Sequence, residues 1–321
     1  MRFFAAGLAL SIGLLWTATA AAQTGIAAQY PGDVGIASDP RVVLVEDFES
    51  GTIANLSSRW DQVMNGAGMS FVSGVPEGSP GSRALRMTSS SSDSGGHLYT
   101  RLPSAQTQLY LRYYVRYVSS GGYHHAGGYL GGYNPATSYP QGGSGEAPQG
   151  NERFSVGFEP LDDNLRFDFY SYWMGMGGLP DGSSWGNSFI QDSSLRVTPG
   201  EWTCVEVMVK LNSPVGSSNG ELAAWVNGQQ VAHLGPGFPN GSSLFGIFTP
   251  DPSGPPWPGF QWRNDAALAI NWIWLNFFTS GTAAMEWDHV VAATDYIGPL
   301  SDGPPAGGGG SPPQRPILRQ P

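Results

Sequence analysis

The sequence predicts an all-β chain folded as an antiparallel sandwich or jelly roll, and three observations carry that prediction. Apolar residues recur with a period of two along several segments, as they do when successive side chains point to opposite faces of a sheet. The 321 residues include 46 glycines and 26 prolines, so turns are frequent and no amphipathic helix stands out. An Asn227-Gly228 pair also sits between two strand-like runs, which is a strong two-residue hairpin signal.

The strands can be read in order. Leu109, Leu111, Tyr113, Val115 and Tyr117 alternate with Tyr110, Arg112, Tyr114 and Arg116. Phe154, Val156 and Phe158 alternate with Arg153, Ser155 and Glu159, and Phe167 and Phe169 with Arg166, Asp168 and Tyr170. Thr203, Val205, Val207 and Val209 alternate with Trp202, Cys204, Glu206, Met208 and Lys210. The hairpin follows over Glu221 to Val231. Short strands between Gly-, Pro- and Ser-rich loops make one large domain over 41–300.

The ends read differently. Residues 1–22 have a secretory signal pattern: Arg2, an apolar stretch from Phe3 to Trp16, then Ala18-Thr19-Ala20 or Ala20-Ala21-Ala22 for cleavage. The apolar stretch is short for a membrane span and lacks a basic flank, and no Cys follows to suggest a lipoprotein. The protein is therefore expected to be secreted or periplasmic. Residues 23–40 read as a loose leader, and 301–321, rich in Gly and Pro, as a disordered tail.

Composition excludes several functions. Only 12% of residues are charged, against about 25% in a typical domain. Fifteen Lys and Arg face 25 Asp and Glu, a net charge of −10. That balance argues against a nucleic-acid or anionic-membrane partner. Cys204 is the only cysteine, which excludes an intrachain disulfide or a Cys-cluster zinc site. The adjacent His124 and His125 lack the helical spacing of a zinc pair. Glu159-Pro160-Leu161-Asp162-Asp163 lacks the carboxylate spacing of a retaining glycosidase, and Glu206 and Glu221 fit ordinary strand positions.

The polar faces of the strands are the informative part. They present His97, Tyr99, Arg101, Arg112, Tyr114, Arg116, Arg153, Asp168 and Tyr170, with Trp272, Trp274 and Asn276 as additions. Arg forks bind carboxylates bidentately, and Tyr and Trp stack on sugar rings while their polar ends hydrogen-bond. A polysaccharide groove is the sharper reading, and a rigid surface that only supports loops is the plainer one.

Four segments carry a family resemblance: Glu46-Asp47-Phe48-Glu49-Ser50-Gly51; Gly96-His97-Leu98-Tyr99 with Leu109-Tyr110-Leu111-Arg112; Gly200-Glu201-Trp202-Thr203-Cys204-Val205-Glu206 with Trp225-Val226-Asn227-Gly228; and Glu286-Trp287-Asp288-His289-Val290-Val291 leading to Tyr296-Ile297-Gly298. Over most of 43–298 the chain resembles secreted jelly-roll polysaccharide lyases of the glucuronan-lyase and alginate-lyase type, including the related fungal cellulose-induced proteins. The broader class is the concanavalin A-like lectin/glucanase sandwich. The resemblance implies a structural Ca²⁺ at Glu49, Ser82 and Asp288. It also implies β-elimination on a uronic-acid-containing glycan, in which the carboxylate is neutralised, a base takes the C5 proton and an acid assists the leaving oxygen. Arg153 and Arg112 are then the expected carboxylate binders, Tyr170 or His124 the base or acid, and Asp168 the group that orients Arg153. His97, Tyr99, Tyr114, Arg116, Tyr129, Trp272 and Trp274 are expected to bind substrate. Resembling lyases often carry Gly-Gly-Lys-Leu where this chain has Gly127-Gly128-Tyr129-Leu130, so Tyr replaces a groove Lys. A non-catalytic carbohydrate-binding protein and a structural surface protein are the alternatives. The expected partner is a polysaccharide, anionic in character, bound by a monomer.

Overall fold

A computed structural model of the chain describes residues 24–91, 95–140, 145–161 and 165–301. The expected signal sequence, residue 23 and nearly all of the expected tail lie outside the described residues. In chain order the strands are β1 (Val42–Glu46), β2 (Gln62–Met64), β3 (Met69–Val72), β4 (Ala84–Ser89), β5 (Gly95–Gln106), β6 (Gln108–Tyr117), β7 (Tyr123–Tyr133) and β8 (Arg153–Leu161). There follow β9 (Arg166–Tyr172), β10 (Trp202–Lys210), β11 (Glu221–Val226), β12 (Gln229–Leu234), β13 (Gly241–Leu244), β14 (Ile247–Pro250), β15 (Ile270–Thr279) and β16 (Ala283–Ala293).

Two antiparallel sheets stack as a jelly roll. One runs β12-β11-β10-β6-β16-β4-β3, with β1 also pairing β16, and the other runs β2-β5-β15-β7-β8-β9. β5 and β6 are consecutive in sequence but belong to opposite sheets. The apolar halves of the alternating runs meet between the sheets: Leu109, Leu111, Tyr113, Val115 and Tyr117 from β6 join Phe154, Val156 and Phe158 from β8 in one buried cluster. Each such side chain contributes about 1.5–3 kcal/mol through its removal from water. The Asn227-Gly228 turn has both residues at positive φ, 50° and 76°, as a type I′ hairpin requires. Val226 pairs with Gln229 across it, and the Asn227 side chain accepts from the Cys204 N–H at 2.9 Å, tying the turn to β10.

Residues 24–40, expected to be loose, are instead a packed strap over the outer face of the first sheet. Ile26, Ala27 and Ile36 are buried with Tyr110, Met208, Trp225 and Tyr296. The N–H groups of Ile26 and Ala27 donate to the carbonyls of Tyr296 and Ile297 at 3.0 and 2.8 Å. The segment lacks periodicity because it forms 3-10 turns, so its few apolar residues gave no pattern to read. No helix among the described residues is long and apolar enough to cross a membrane.

Candidate active site

The open face of the second sheet carries a groove of about 1080 Å³. Its floor follows from strand register. Opposite neighbours run Tyr99–Trp274–Tyr129–Gly157–Tyr170 in one row, and the adjacent row includes Asn276 beside His97. Same-face residues are two apart along each strand, so β8 presents Arg153, Ser155, Gly157 and Glu159 to this side. Gly157 is required there, because a Cβ would enter the Tyr129 ring.

At one end of the groove lie Arg153, Tyr170, Tyr172 and His125. The Arg153 guanidinium lies 5.7 Å over the Tyr172 ring, and its Nη2 donates to the Glu146 carbonyl at 2.8 Å. The His125 and Tyr170 ring centroids are 4.5 Å apart, and the Tyr170 and Tyr172 hydroxyls are 3.3 Å apart. Beneath them, Glu159 is wholly buried. One of its oxygens is 2.9 Å from His125 Nδ1, and the other accepts a short hydrogen bond from the Tyr129 hydroxyl. Burial opposes protonation of His125, but the Glu159 hydrogen bond and charge outweigh it and raise the imidazole above its usual 6.5. Burial and the same carboxylate hold the Tyr129 phenol well above its usual range.

The other end is formed by His97, Trp274, Asn276 and Asn65. His97 and Trp274 meet edge to face at 5.6 Å, and Trp274 lies 5.3 Å from Tyr129. Burial pushes His97 down to about 4, so this imidazole is neutral at neutral pH.

The expected site residues divide sharply. Arg153, Tyr170, His97, Tyr129 and Trp274 line the groove. Arg112, Tyr114 and Arg116 do not: they sit on β6, on the outer face of the opposite sheet. A sandwich has two outer faces, and alternation along one strand cannot tell them apart. Arg112 is buried under the strap, where it donates to Asp33 at 2.6 Å and to the His289 carbonyl at 3.0 Å. The Tyr114 hydroxyl accepts the Leu300 N–H at 2.9 Å. Arg116 pairs with buried Glu286 and lies 4.9 Å from the Trp202 ring.

Asp168 is on the grooved sheet but does not orient Arg153. It binds Arg166 at 2.7 Å and accepts the N–H groups of Phe189, Ile190 and Gln191, pinning that loop to β9. Tyr99 and Trp272 are fully buried. Trp272 stacks on Tyr133 and meets Tyr99 at a tilt beneath the loop that follows β7, and the Tyr99 hydroxyl donates to the Thr137 carbonyl at 2.9 Å. His124 is exposed beside His125 and Phe278 and does not line the groove. Counting back by twos from Tyr129 selects His125, a signal the sequence contained. Glu159 was masked by the Pro160 that follows it.

The expected calcium ligands are also placed. The Ser82 N–H and hydroxyl donate to the two Glu49 oxygens at 2.8 and 2.9 Å. Asp288 accepts the His289 N–H through Oδ1, while its Oδ2 is buried with no hydrogen-bond partner. Among the described residues no group of three or more His, Cys, Asp or Glu side chains is arranged to hold a metal. The fit therefore rests on the orphaned Asp288 oxygen, near the charges of Glu49 and Asp47, and on an all-oxygen donor set that suits a hard cation.

No protein-family model matches the sequence, and no curated protein matches it. Solved structures match by shape. An alginate lyase from Chlorella virus, vAL-1, superposes with a TM-score of 0.53 at 14% identity, over 79% of this chain and 99% of that one. A marine PL-14 alginate lyase from Aplysia kurodai gives 0.53 at 16%, over 79% and 99%. The alginate lyase Aly36B gives 0.51 at 16%, over 80% and 98%. At these identities the likeness shows a shared jelly-roll fold, and function has to be argued from the groove.

Proposed function

We propose that the protein is an exported polysaccharide lyase that cleaves a uronic-acid-containing glycan by β-elimination in the groove on the second sheet. The observation that carries this reading is a line of groups along one wall, in which Arg153 meets Tyr172, Tyr172 meets Tyr170, and Tyr170 meets the His125–Glu159 pair. Arg153 is the group suited to neutralise the uronate carboxylate, which makes the neighbouring C5 proton removable. With Nδ1–H donated to Glu159, the His125 Nε2 lone pair is left as the base. The C5 proton passes to Nε2, a C4–C5 double bond forms, and the C4–O glycosidic bond breaks. Tyr170 gives its phenolic proton to the departing oxygen and recovers one from His125 or water. The shared fold with alginate lyases supports the same class of chemistry.

One observation favours a second reading, a non-catalytic carbohydrate-binding protein. Tyr129, which stands where resembling lyases carry a Lys, is tied to Glu159 in the floor and supplies no mobile positive charge. Mature protein incubated with a panel of polyuronates separates the two readings. A lyase produces the ultraviolet absorbance of an unsaturated sugar and loses it in Arg153→Ala. Binding without that absorbance on any substrate establishes the second reading.

A structural Ca²⁺ held by Glu49 and Asp288, with Ser82 beside them, is part of the same proposal. It would neutralise the crowded carboxylates and fasten the segment after β1 to β16 near the chain ends. A fall in melting temperature on chelation, restored by Ca²⁺, tests it. N-terminal sequencing of the exported protein, with cleavage expected by residue 22, tests secretion.

A further inference from the structure

Among the described residues the groove is nearly uncharged. Among its described lining residues, Arg153 is the one permanent cation and no carboxylate is present. Beyond the Arg153 wall the polar groups are amides and hydroxyls, such as Asn65, Ser90 and Asn276, set among aromatic rings. Two buried nitrogens at that end, His97 Nε2 and Trp274 Nε1, have no hydrogen-bond partner. The net charge of −10 adds a long-range field that repels a polyanion.

A homopolyuronate carries a carboxylate on every sugar. Taking each one out of water without a counter-charge costs several kcal/mol, and this groove supplies a counter-charge for one. Uncharged sugars match the remainder, because aromatic faces stack on their C–H surfaces while amides and hydroxyls bind their hydroxyl groups. Resting on the lyase reading for the cleaved bond, we infer that the substrate is a heteropolysaccharide with isolated uronates. The uronate sits against Arg153, and neutral sugars occupy the His97–Trp274–Asn276 end.

The test measures binding and elimination separately. The polymers are polymannuronate, polyglucuronate, and a heteropolysaccharide with one glucuronate per repeat flanked by neutral hexoses. The expected result is a Kd at least about tenfold tighter for the heteropolysaccharide, since even one unmatched carboxylate costs more than the 1.4 kcal/mol of a tenfold change. Equal or tighter binding of either homopolyuronate, or binding of none of the three, overturns the inference. Tighter binding of the heteropolysaccharide without an unsaturated product sustains the inference while sinking the lyase reading. Ala67→Arg supplies a gain-of-function arm at an exposed groove position whose side chain offers no polar group to a sugar. It should tighten homopolyuronate binding about two- to fivefold, as an exposed ion pair does, and leave the heteropolysaccharide unchanged. Equal effects on both polymers would count against the charge argument.

Discussion

Replacing Glu159 by Gln isolates the group on which the proposed base depends. In the native protein burial opposes the charge on His125, and the Glu159 hydrogen bond at 2.9 Å reverses that effect, so the imidazole titrates above 6.5. An adjacent opposite charge shifts a pKa by about 1–3 units. In Glu159→Gln the carboxylate is gone while the burial remains, so His125 should titrate below 6.5. Histidine ring resonances followed by NMR across the pH range report this directly and need no substrate. Where elimination is measured, the limb of kcat/KM governed by the base should move down with it. Loss of imidazole orientation should also lower kcat by about 10²-fold or more, in the range of general-base catalysis. Protonated His125 cannot accept the C5 proton, so native activity should rise as pH passes upward through its pKa. A folded Glu159→Gln protein whose His125 titrates as in the native chain would refute the coupling. An unmoved kinetic limb, with the resonance shifted, would show that His125 is not the base.

Other expectations concern stability. Arg112→Ala leaves the buried carboxylate of Asp33, in the strap, with His289 in place of its Arg partner, so a loss of about 3 kcal/mol in denaturant unfolding is expected, with glycan affinity unchanged. Burial raises Glu206 to about 7 from 4.5, against two backbone N–H donors. A raised carboxyl pKa means that the folded state holds its proton more tightly than the unfolded state, so stability is lost as pH rises from about 4.5 to 7. The stability of native protein minus that of Glu206→Gln should therefore fall by about 3 kcal/mol across that window. A flat difference would show that Glu206 titrates normally. Asp288→Asn should abolish the rise in melting temperature on adding Ca²⁺, and an undiminished rise would place the ion elsewhere.

The period-two runs located β6, β8, β9 and β10 and the half of each one that faces between the sheets, because packing between sheets acts on every second residue. The Asn227-Gly228 turn was equally plain, since few residue pairs tolerate two positive φ values in succession. Pairing between distant strands was not legible. Arg112 and Arg153 have the same local pattern, an Arg alternating with core residues. One lies under the strap and the other in the groove because β6 hydrogen-bonds to β10 and β16 while β8 hydrogen-bonds to β7 and β9. The strap was missed for a related reason: its contacts join residues 26–27 to 296–297, and short-range periodicity does not register contacts that distant. Tyr99 and Trp272 lie on the correct sheet, yet the loop containing Thr137 covers them.

The partners of the buried carboxylates single out the groove without reference to any relative. Glu46 is paired with Arg59, Asp168 with Arg166, and Glu286 with Arg86 and Arg116. These partners stay charged at any physiological pH, so the pairs are fixed struts. Asp33 has Arg112 as well as His289, and Glu206 rests on backbone N–H groups that cannot titrate. Among the described residues, Glu159 differs from these. Both of its side-chain partners, His125 and Tyr129, carry exchangeable protons, and no Arg or Lys neutralises it. A carboxylate held this way stabilises a proton on the neighbouring imidazole, which a structural strut has no need to do. His125 is also 27% exposed while Glu159 is sealed, so the pair presents one reactive face to the groove and is anchored on the other. Titratable groups perturbed like His125 concentrate at functional sites, and this one adjoins Tyr170 on the wall that Arg153 makes attractive to a carboxylate.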